Sequence, residues 1–186
     1  MKPPVLVKPP MVVSLPENGI VVGIDVGTGD NCGWAIVNLQ GELLESGVYK
    51  LGEKAALESR LVSLHKALDG FVLAMRMVYH KEFHGHLYAV GIETPWVGKN
   101  IQSALRLGKA WGVVAASFME YVVPYTIYPA TAKKALTGSG KARKLARVAA
   151  AQLMGMQGEN DNEADAIGVA LATLIQWIEE YLKNVE

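Results

Sequence analysis

Two apolar segments of this chain each close with an acidic residue, and this pattern restricts the fold more than any other feature. Asp25 lies where the apolar segment 20–26 meets the glycine-rich turn VGTGDN, and Glu93 lies where the apolar segment 87–93 meets the Thr94-Pro95 break. A buried carboxylate without a partner is unfavourable by several kcal/mol. We therefore expect the two acids to converge at one edge of a sheet and to share a partner such as a metal ion.

The remaining periodicity predicts alternating strands and helices. Short β-branched runs predict strands over 20–26, 33–39, 42–51, 87–93 and 125–128. Apolar residues at spacings of three and four predict a long helix over 53–84, with a break at Gly70 as the alternative, and further helices over 100–122, 130–136, 141–154 and 162–182. This order predicts an α/β fold in which helices flank a mixed sheet.

Length and composition favour one domain with a short tail. The chain has 186 residues, and its first 18 include five prolines and the near-repeat KPPVLV and KPPMVV, which predicts a Pro-rich tail ahead of a single domain over 19–186. No segment has the roughly 18 to 20 uninterrupted apolar residues of a membrane span. Since Cys32 is the single cysteine, no intrachain disulfide is possible, and we expect a cytoplasmic protein.

Positive charge is concentrated in one stretch, although the whole chain has a formal net charge of zero. Residues 94–158 hold nine Lys or Arg and one acid, Glu120, for a local net charge of +8, and the rest of the chain carries −8. Such segregation indicates one basic face, which is what binding to nucleic-acid phosphates requires. The alternative is an ordinary solvated helix surface.

A third acidic segment, GENDNEADAIG, opens the last predicted helix. Asp161 and Asp165 are four residues apart and Asn162 and Asp165 are three apart, so either pair shares one helix face. Together with Asp25 and Glu93 they form a hard, oxygen-rich set that suits Mg²⁺ or Mn²⁺ better than zinc and offers room for two ions. The alternative is structural, with Asp161 as a helix N-cap and Asp25 as a turn former.

Four segments together resemble the RuvC family of Holliday junction resolvases. GIDVGTGDNCGWA, IETPWVGKNIQSALRLGKAWG, PATAKKALTGSGKARK and DNEADAIGVALA follow the family order over about residues 20–175. The resemblance implies an RNase H-like fold, a homodimer, and a Mg²⁺-dependent endonuclease that nicks opposed strands of four-way DNA junctions. It implies two-metal hydrolysis to 5′-phosphate and 3′-hydroxyl ends, without a nucleotide cofactor or a membrane partner.

The resemblance also assigns the acids. Asp25, Glu93 and Asp165 take the places of three members of the family's carboxylate tetrad. The family motif places the fourth acid three residues before the last, where this chain has Asn162. We expect Asp161 to be the fourth metal ligand, because it supplies a charge, with Asn162 beside it as a neutral ligand.

DNA contacts are predicted on the basic stretch. Trp96 matches a family aromatic that contacts DNA near the junction centre, and its alternative is a core tryptophan. Phosphate contacts are expected from the cations of the same stretch: Lys99, Lys133, Lys134, Lys141, Arg143 and Lys144.

Two other functions remain open from the sequence. GIDVGTGDNCGWA also resembles the first phosphate motif of actin-like and sugar-kinase phosphotransferases, although the chain is short for two large domains around ATP. A junction-binding module without catalysis is the second alternative, and Asn162 at the position of a family acid is the feature that favours it.

Overall fold

The computed structural model describes residues 18–26, 31–52, 55–81, 86–95 and 100–185. In chain order, the elements within these ranges are β1 (Gly19–Val26), β2 (Asn31–Asn38), β3 (Leu43–Lys50), α1 (Leu57–Lys81), β4 (His86–Glu93), α2 (Ile101–Met119), β5 (Tyr125–Ile127), α3 (Pro129–Thr137), α4 (Lys144–Leu153) and α5 (Asp161–Val185). Each predicted strand and helix is present. Residues 1–17 of the predicted tail lie outside the described ranges, so the division of the chain at residue 18 stays a prediction.

The five strands form one mixed sheet in the order β3-β2-β1-β4-β5. The first three strands form an antiparallel meander, whereas β4 runs parallel to β1 and β5 runs parallel to β4. The register aligns Ile24 with Ile92, so the next residues, Asp25 and Glu93, come side by side. The predicted α/β fold, an RNase H-like mixed sheet flanked by helices, is confirmed.

Side chains alternate between the two faces of the sheet, and this alternation decides which helix the acids meet. Ile20, Val22, Ile24 and Val26 of β1 pack in the same core cluster as buried residues of α1 and α2. Val21 packs in a second cluster with residues of α5. Because successive residues of a strand point to opposite faces, Asp25 and Glu93 lie on the face covered by α5.

Glycines on that face let α5 lie very close to the sheet. A methyl group added at Gly23 would overlap the backbone of α5, and one added at Gly33 would overlap the backbone carbonyl of Asn162. Gly91 of β4 is covered in the same way by the side chain of Thr173. Any larger residue at these positions would push α5 outward, so the glycines hold the helix near the strand ends that carry the acids.

Gly70 does not interrupt the long helix, because α1 is continuous from Leu57 to Lys81. A glycine inside a helix costs about 0.5–1 kcal/mol relative to alanine. The helix tolerates it because Leu64 and Leu68 are fully buried against the sheet, and packing of an apolar face contributes more than local propensity. None of the helices in the described ranges is both long and apolar enough to cross a membrane.

Candidate active site

Asp25 is a buried carboxylate at the end of β1. It is only 7% exposed, and its backbone pairs with that of Gly33 in β2. Burial raises the pKa of Asp25 well above its usual range, and a hydrogen bond to Glu93 and the charges of Glu93, Asp165 and Asp161 raise it further. Its place inside β1 shows that the alternative interpretation of Asp25 as a turn former is wrong.

Glu93 closes β4 beside Asp25, and its side chain shares a hydrogen bond with the Asp25 carboxyl. The chain then leaves the sheet at Thr94, whose backbone N–H donates to the carbonyl of Ile127 in β5 at 2.8 Å. That bond ties the residue after Glu93 to the neighbouring strand. Glu93 is therefore held at the edge of the sheet, next to the buried Asp25.

The first turn of α5 brings Asp161 and Asp165 to the same place. Its N-terminus is capped by Asn160, whose side-chain oxygen accepts hydrogen bonds from the N–H groups of Asn162 at 2.9 Å and of Glu163 at 3.4 Å. The alternative interpretation of Asp161 as the N-cap is therefore wrong, because Asn160 has that role.

Two contacts anchor this turn to the sheet. Ser46 of β3 donates a hydrogen bond to Glu163 at 2.6 Å, and the backbone of Asn162 lies directly over Gly33. Because Gly33 is also the register partner of Asp25, the close approach of α5 at this point places its acids near the end of β1.

The four acids influence one another electrostatically, as expected for a cluster. Burial raises the pKa of Asp165, Arg147 and Lys133 oppose that rise, and the charges of Glu93 and Asp161 add to it. For Asp161, partial burial acts to raise the pKa, but Lys144, a backbone hydrogen bond and Arg147 outweigh it, so the pKa lies below its usual value. The cluster thus has a buried part at Asp25 and an outer part at Asp161.

Two cations of α4 contact the acids of α5. Arg147 donates from Nη2 to Oδ2 of Asp165 at 3.0 Å, and its Nε lies 2.5 Å from Oδ1. Lys144, one turn earlier, pairs with Asp161 at 3.0 Å. Lys144 was predicted as a DNA contact, whereas Arg147 was only counted among the cations of the basic stretch, because the sequence does not reveal which side of α4 meets α5.

The donor set fits a hard divalent cation, although the arrangement is not that of a closed metal site. The four carboxylates lie within electrostatic reach of one another, and such oxygens need positive charge to be stable together. Among the side chains of the described ranges, no group of three or more His, Cys, Asp or Glu is arranged to hold a metal ion. Instead, the carboxylate of Asp165 is ion-paired with Arg147, and that of Asp161 is ion-paired with Lys144.

A groove of about 820 Å³ opens beside Glu93. Its lining combines polar, aromatic and basic residues from β4, the start of α3 and the loop that follows α3: Glu93, Thr94, Pro95, Tyr128, Pro129, Ala130, Lys133 and Gly140. Sequence reasoning missed Tyr128, which is 66% exposed, and Thr94, whose hydroxyl is buried without a hydrogen bond to the described residues. An aromatic residue just before a helix carries no distinctive signal in the sequence.

The predicted DNA contacts are only partly assembled around the acids. Lys133 lines the groove and acts on the pKa of Asp165, and Lys144 pairs with Asp161. Three further predicted contacts, Lys134, Lys141 and Arg143, are exposed. Trp96 and Lys99 lie outside the described residues, so their proposed roles stay predictions.

The position of the fourth ligand also stays a prediction. Asp161 is within electrostatic reach of Asp25 and Asp165 but pairs with Lys144. Asn162 is half-buried, and its backbone carbonyl packs over Gly33. Asp161 therefore has the charge expected of a ligand, whereas Asn162 occupies the position that the family motif gives to an acid.

Comparison with known proteins gives a consistent result. The chain matches the family described as "Crossover junction endodeoxyribonuclease RuvC" over residues 21–173. It is 30% identical to the protein of that name from Christiangramia forsetii over 167 residues, which is 84% of this chain and 80% of the relative. It is 32% identical to the one from Anaeromyxobacter sp. over 160 residues, covering 83% and 80% of the two chains.

Solved structures resemble the fold as well. The structure of T. thermophilus RuvC in complex with a Holliday junction substrate superposes with a TM-score of 0.66 and 25% identity, covering 82% of this chain and 91% of the other. The yeast mitochondrial Holliday junction resolvase superposes with a TM-score of 0.51 over 89% of this chain and 82% of the other, and at 13% identity it supports the fold alone. The family match covers most of the sheet and of α5, and the chain therefore belongs to the RuvC family of crossover junction endodeoxyribonucleases.

Proposed function

We propose that this protein resolves four-way DNA junctions by nicking two opposed strands in a reaction that depends on Mg²⁺. The observation that carries the proposal is the convergence of four acids from three distant segments beside a groove with basic and aromatic lining. The T. thermophilus relative was solved with a Holliday junction substrate, which supports the choice of DNA. Mn²⁺ is expected to substitute for Mg²⁺.

In the proposed mechanism, Asp25, Glu93, Asp165 and Asp161 would hold two divalent ions in each active site. Ions of this kind lower the pKa of water and stabilise the charge that develops on a phosphate during in-line displacement. The chain's own residues place the DNA strand: Lys133 offers positive charge to a phosphate in the groove, and Tyr128 offers a face for a base. Hydrolysis leaves a 5′-phosphate and a 3′-hydroxyl, which a ligase can rejoin.

A homodimer completes the proposal. A junction has two symmetry-related strands to cut, and a two-fold dimer presents two identical sites to them.

The cytoplasmic location inferred from the single cysteine also stays a prediction.

The decisive experiment incubates the purified protein with a synthetic four-way junction and Mg²⁺ or Mn²⁺, and maps both nicks. We expect paired nicks on opposed strands that DNA ligase can seal. Tight junction binding without nicks in Mn²⁺ would favour the non-catalytic binding module instead. ATP turnover without DNA cleavage would favour the phosphotransferase.

The basic residues of α3 give a prediction about binding. Replacing both Lys133 and Lys134 by alanine should weaken junction binding and reduce the slope of log K against log salt by about two, because each lysine that contacts a phosphate contributes about one. Fluorescence anisotropy at several salt concentrations measures this slope. The matched control replaces the exposed Lys66 of α1 and Lys183 near the end of α5, and an unchanged slope in the Lys133 and Lys134 variant would exclude both lysines from phosphate contacts.

The groove gives a prediction about Tyr128. Replacing Tyr128 by alanine should slow junction cleavage about 5- to 150-fold, because stacking of one base on an aromatic side chain is worth about 1–3 kcal/mol. Tyr128→Phe keeps the ring and should retain most of the activity. Single-turnover cleavage with protein below saturation makes the comparison, because the second-order rate reports binding of the DNA together with the chemical step, and equal losses in the alanine and phenylalanine variants would argue against stacking.

A further inference from the structure

Arg147 is a nearly buried cation on a proposed metal ligand. Its side chain is 12% exposed and that of Asp165 is 20% exposed. The guanidinium lies near both carboxylate oxygens: Nη2 donates a hydrogen bond to Oδ2 at 3.0 Å, and Nε lies 2.5 Å from Oδ1 as an ion pair without hydrogen-bond geometry. Because both groups are largely shielded from water, their attraction is stronger than that of an exposed pair.

The packing of α4 on α5 explains why Arg147 reaches this place. Val148 and Ala151 of α4 are buried in the same core cluster as Ala164 and Ile167 of α5, so the residue before Val148 lies at the margin of the contact. Lys144, one turn earlier, meets Asp161, which is one turn before Asp165. That second pair is about half exposed and is therefore screened by water and salt.

We propose that Arg147 is a positioning residue that acts as an internal counter-ion of Asp165, and that a divalent cation must displace its guanidinium before Asp165 can serve as a ligand. The reason is competition for the same two oxygens. Both Oδ1 and Oδ2 of Asp165 already face nitrogens of Arg147, so an ion that binds the carboxylate on this side must break the contact and forgo its favourable free energy. The inference rests on the proposed function, since it takes Asp165 as a metal ligand.

Two states follow from this competition. Without ions, Arg147 offsets the repulsion that Asp165 experiences from Glu93 and Asp161. With ions bound, the metal provides that positive charge and the guanidinium is released. The Arg147–Asp165 ion pair lowers the affinity of the site for a divalent ion. Because the coupling is reciprocal, removing Arg147 should raise that affinity by the same factor.

The test is a titration of the DNA-free protein with Mn²⁺, monitored by isothermal titration calorimetry. Arg147→Met removes the charge but keeps an unbranched apolar stem, and we expect it to bind Mn²⁺ on the order of tenfold more tightly than the wild type. Arg147→Lys keeps the charge and should stay near the wild-type affinity. The control Lys66→Met removes an exposed cation on α1 and should change the affinity less than about twofold, because an exposed charge is screened.

A second measurement uses the wild-type protein and so avoids any folding defect of the variants. The Nε–H resonance of Arg147 is followed by NMR during titration with Mg²⁺, and we expect it to shift as the site fills. An Arg147→Met affinity equal to or below that of the wild type, or a resonance that does not move while Mg²⁺ binds, would overturn the inference and leave the metal site in place. Absence of any Mn²⁺ binding to the wild type would overturn both the inference and the proposed metal-dependent function.

Discussion

Replacing Asp25 by asparagine should abolish junction cleavage and leave junction binding intact. Asp25 is the most buried of the four acids that the structure brings together, and asparagine keeps its shape while removing the charge that a divalent ion needs. We expect the cleavage rate to fall on the order of 10³-fold or more, because the charge stabilisation and water activation that the ions supply are lost. Binding should persist, because the cations proposed to contact the phosphates are unchanged.

Single-turnover cleavage and anisotropy on the same junction separate the two effects. The matched control is Asp69→Asn, which removes an exposed carboxylate on α1 that pairs with His65 and should leave both quantities unchanged. Loss of binding together with cleavage in the Asp25 variant would contradict the separation of roles, and retained cleavage would remove Asp25 from the active site.

Without ions, Asp25→Asn should also raise the Tm, since a buried carboxyl near other acids is destabilising when ionised.

Replacing Gly33 by alanine should damage both the fold and the site. The added methyl group would overlap the Asn162 carbonyl, so α5 would have to move away from β2 at the turn that carries Asp161. Overpacking of this kind costs up to about 3 kcal/mol, which corresponds to a fall in Tm of roughly 6–12 °C for a chain of this length. Cleavage should fall by more than the loss of folded protein explains, because the distance between the acids of α5 and Asp25 increases.

Thermal unfolding and cleavage of the remaining folded protein test this prediction. The control is Gly70→Ala in α1, where an added methyl group meets nothing within 4 Å. That substitution should stabilise the protein by about 0.5–1 kcal/mol and leave cleavage unchanged. A Gly33→Ala variant as stable and active as the wild type would show that α5 is not held against β2 as closely as the structure indicates.

Much of the fold could be predicted from the sequence, because its signals are local. The β-branched apolar run of β1 and the period of three and four in α1 follow from which side chains each element buries, and both signals appear directly in the residue order. The acids Asp25 and Glu93 could be found for a related reason: a carboxylate at the end of an apolar strand is conspicuous. The ends of the helices were less accurate, because capping depends on side-chain geometry. The cap at Asn160 shows this, since Asp161 next to it is an equally suitable residue type.

The order of strands and helices and the identity of the acids can be read from the residue order, since they depend on hydrophobic patterning and residue type. Which cation meets which acid depends on how the helices pack. Arg147 and Asp165 are 18 residues apart, and their contact depends on how α4 rotates against α5. The residue order does not predict the groove beside Glu93 either, because Tyr128 and Thr94 meet there through the parallel pairing of β5 with β4. Contacts of this kind arise from packing between elements, which local sequence patterns do not encode.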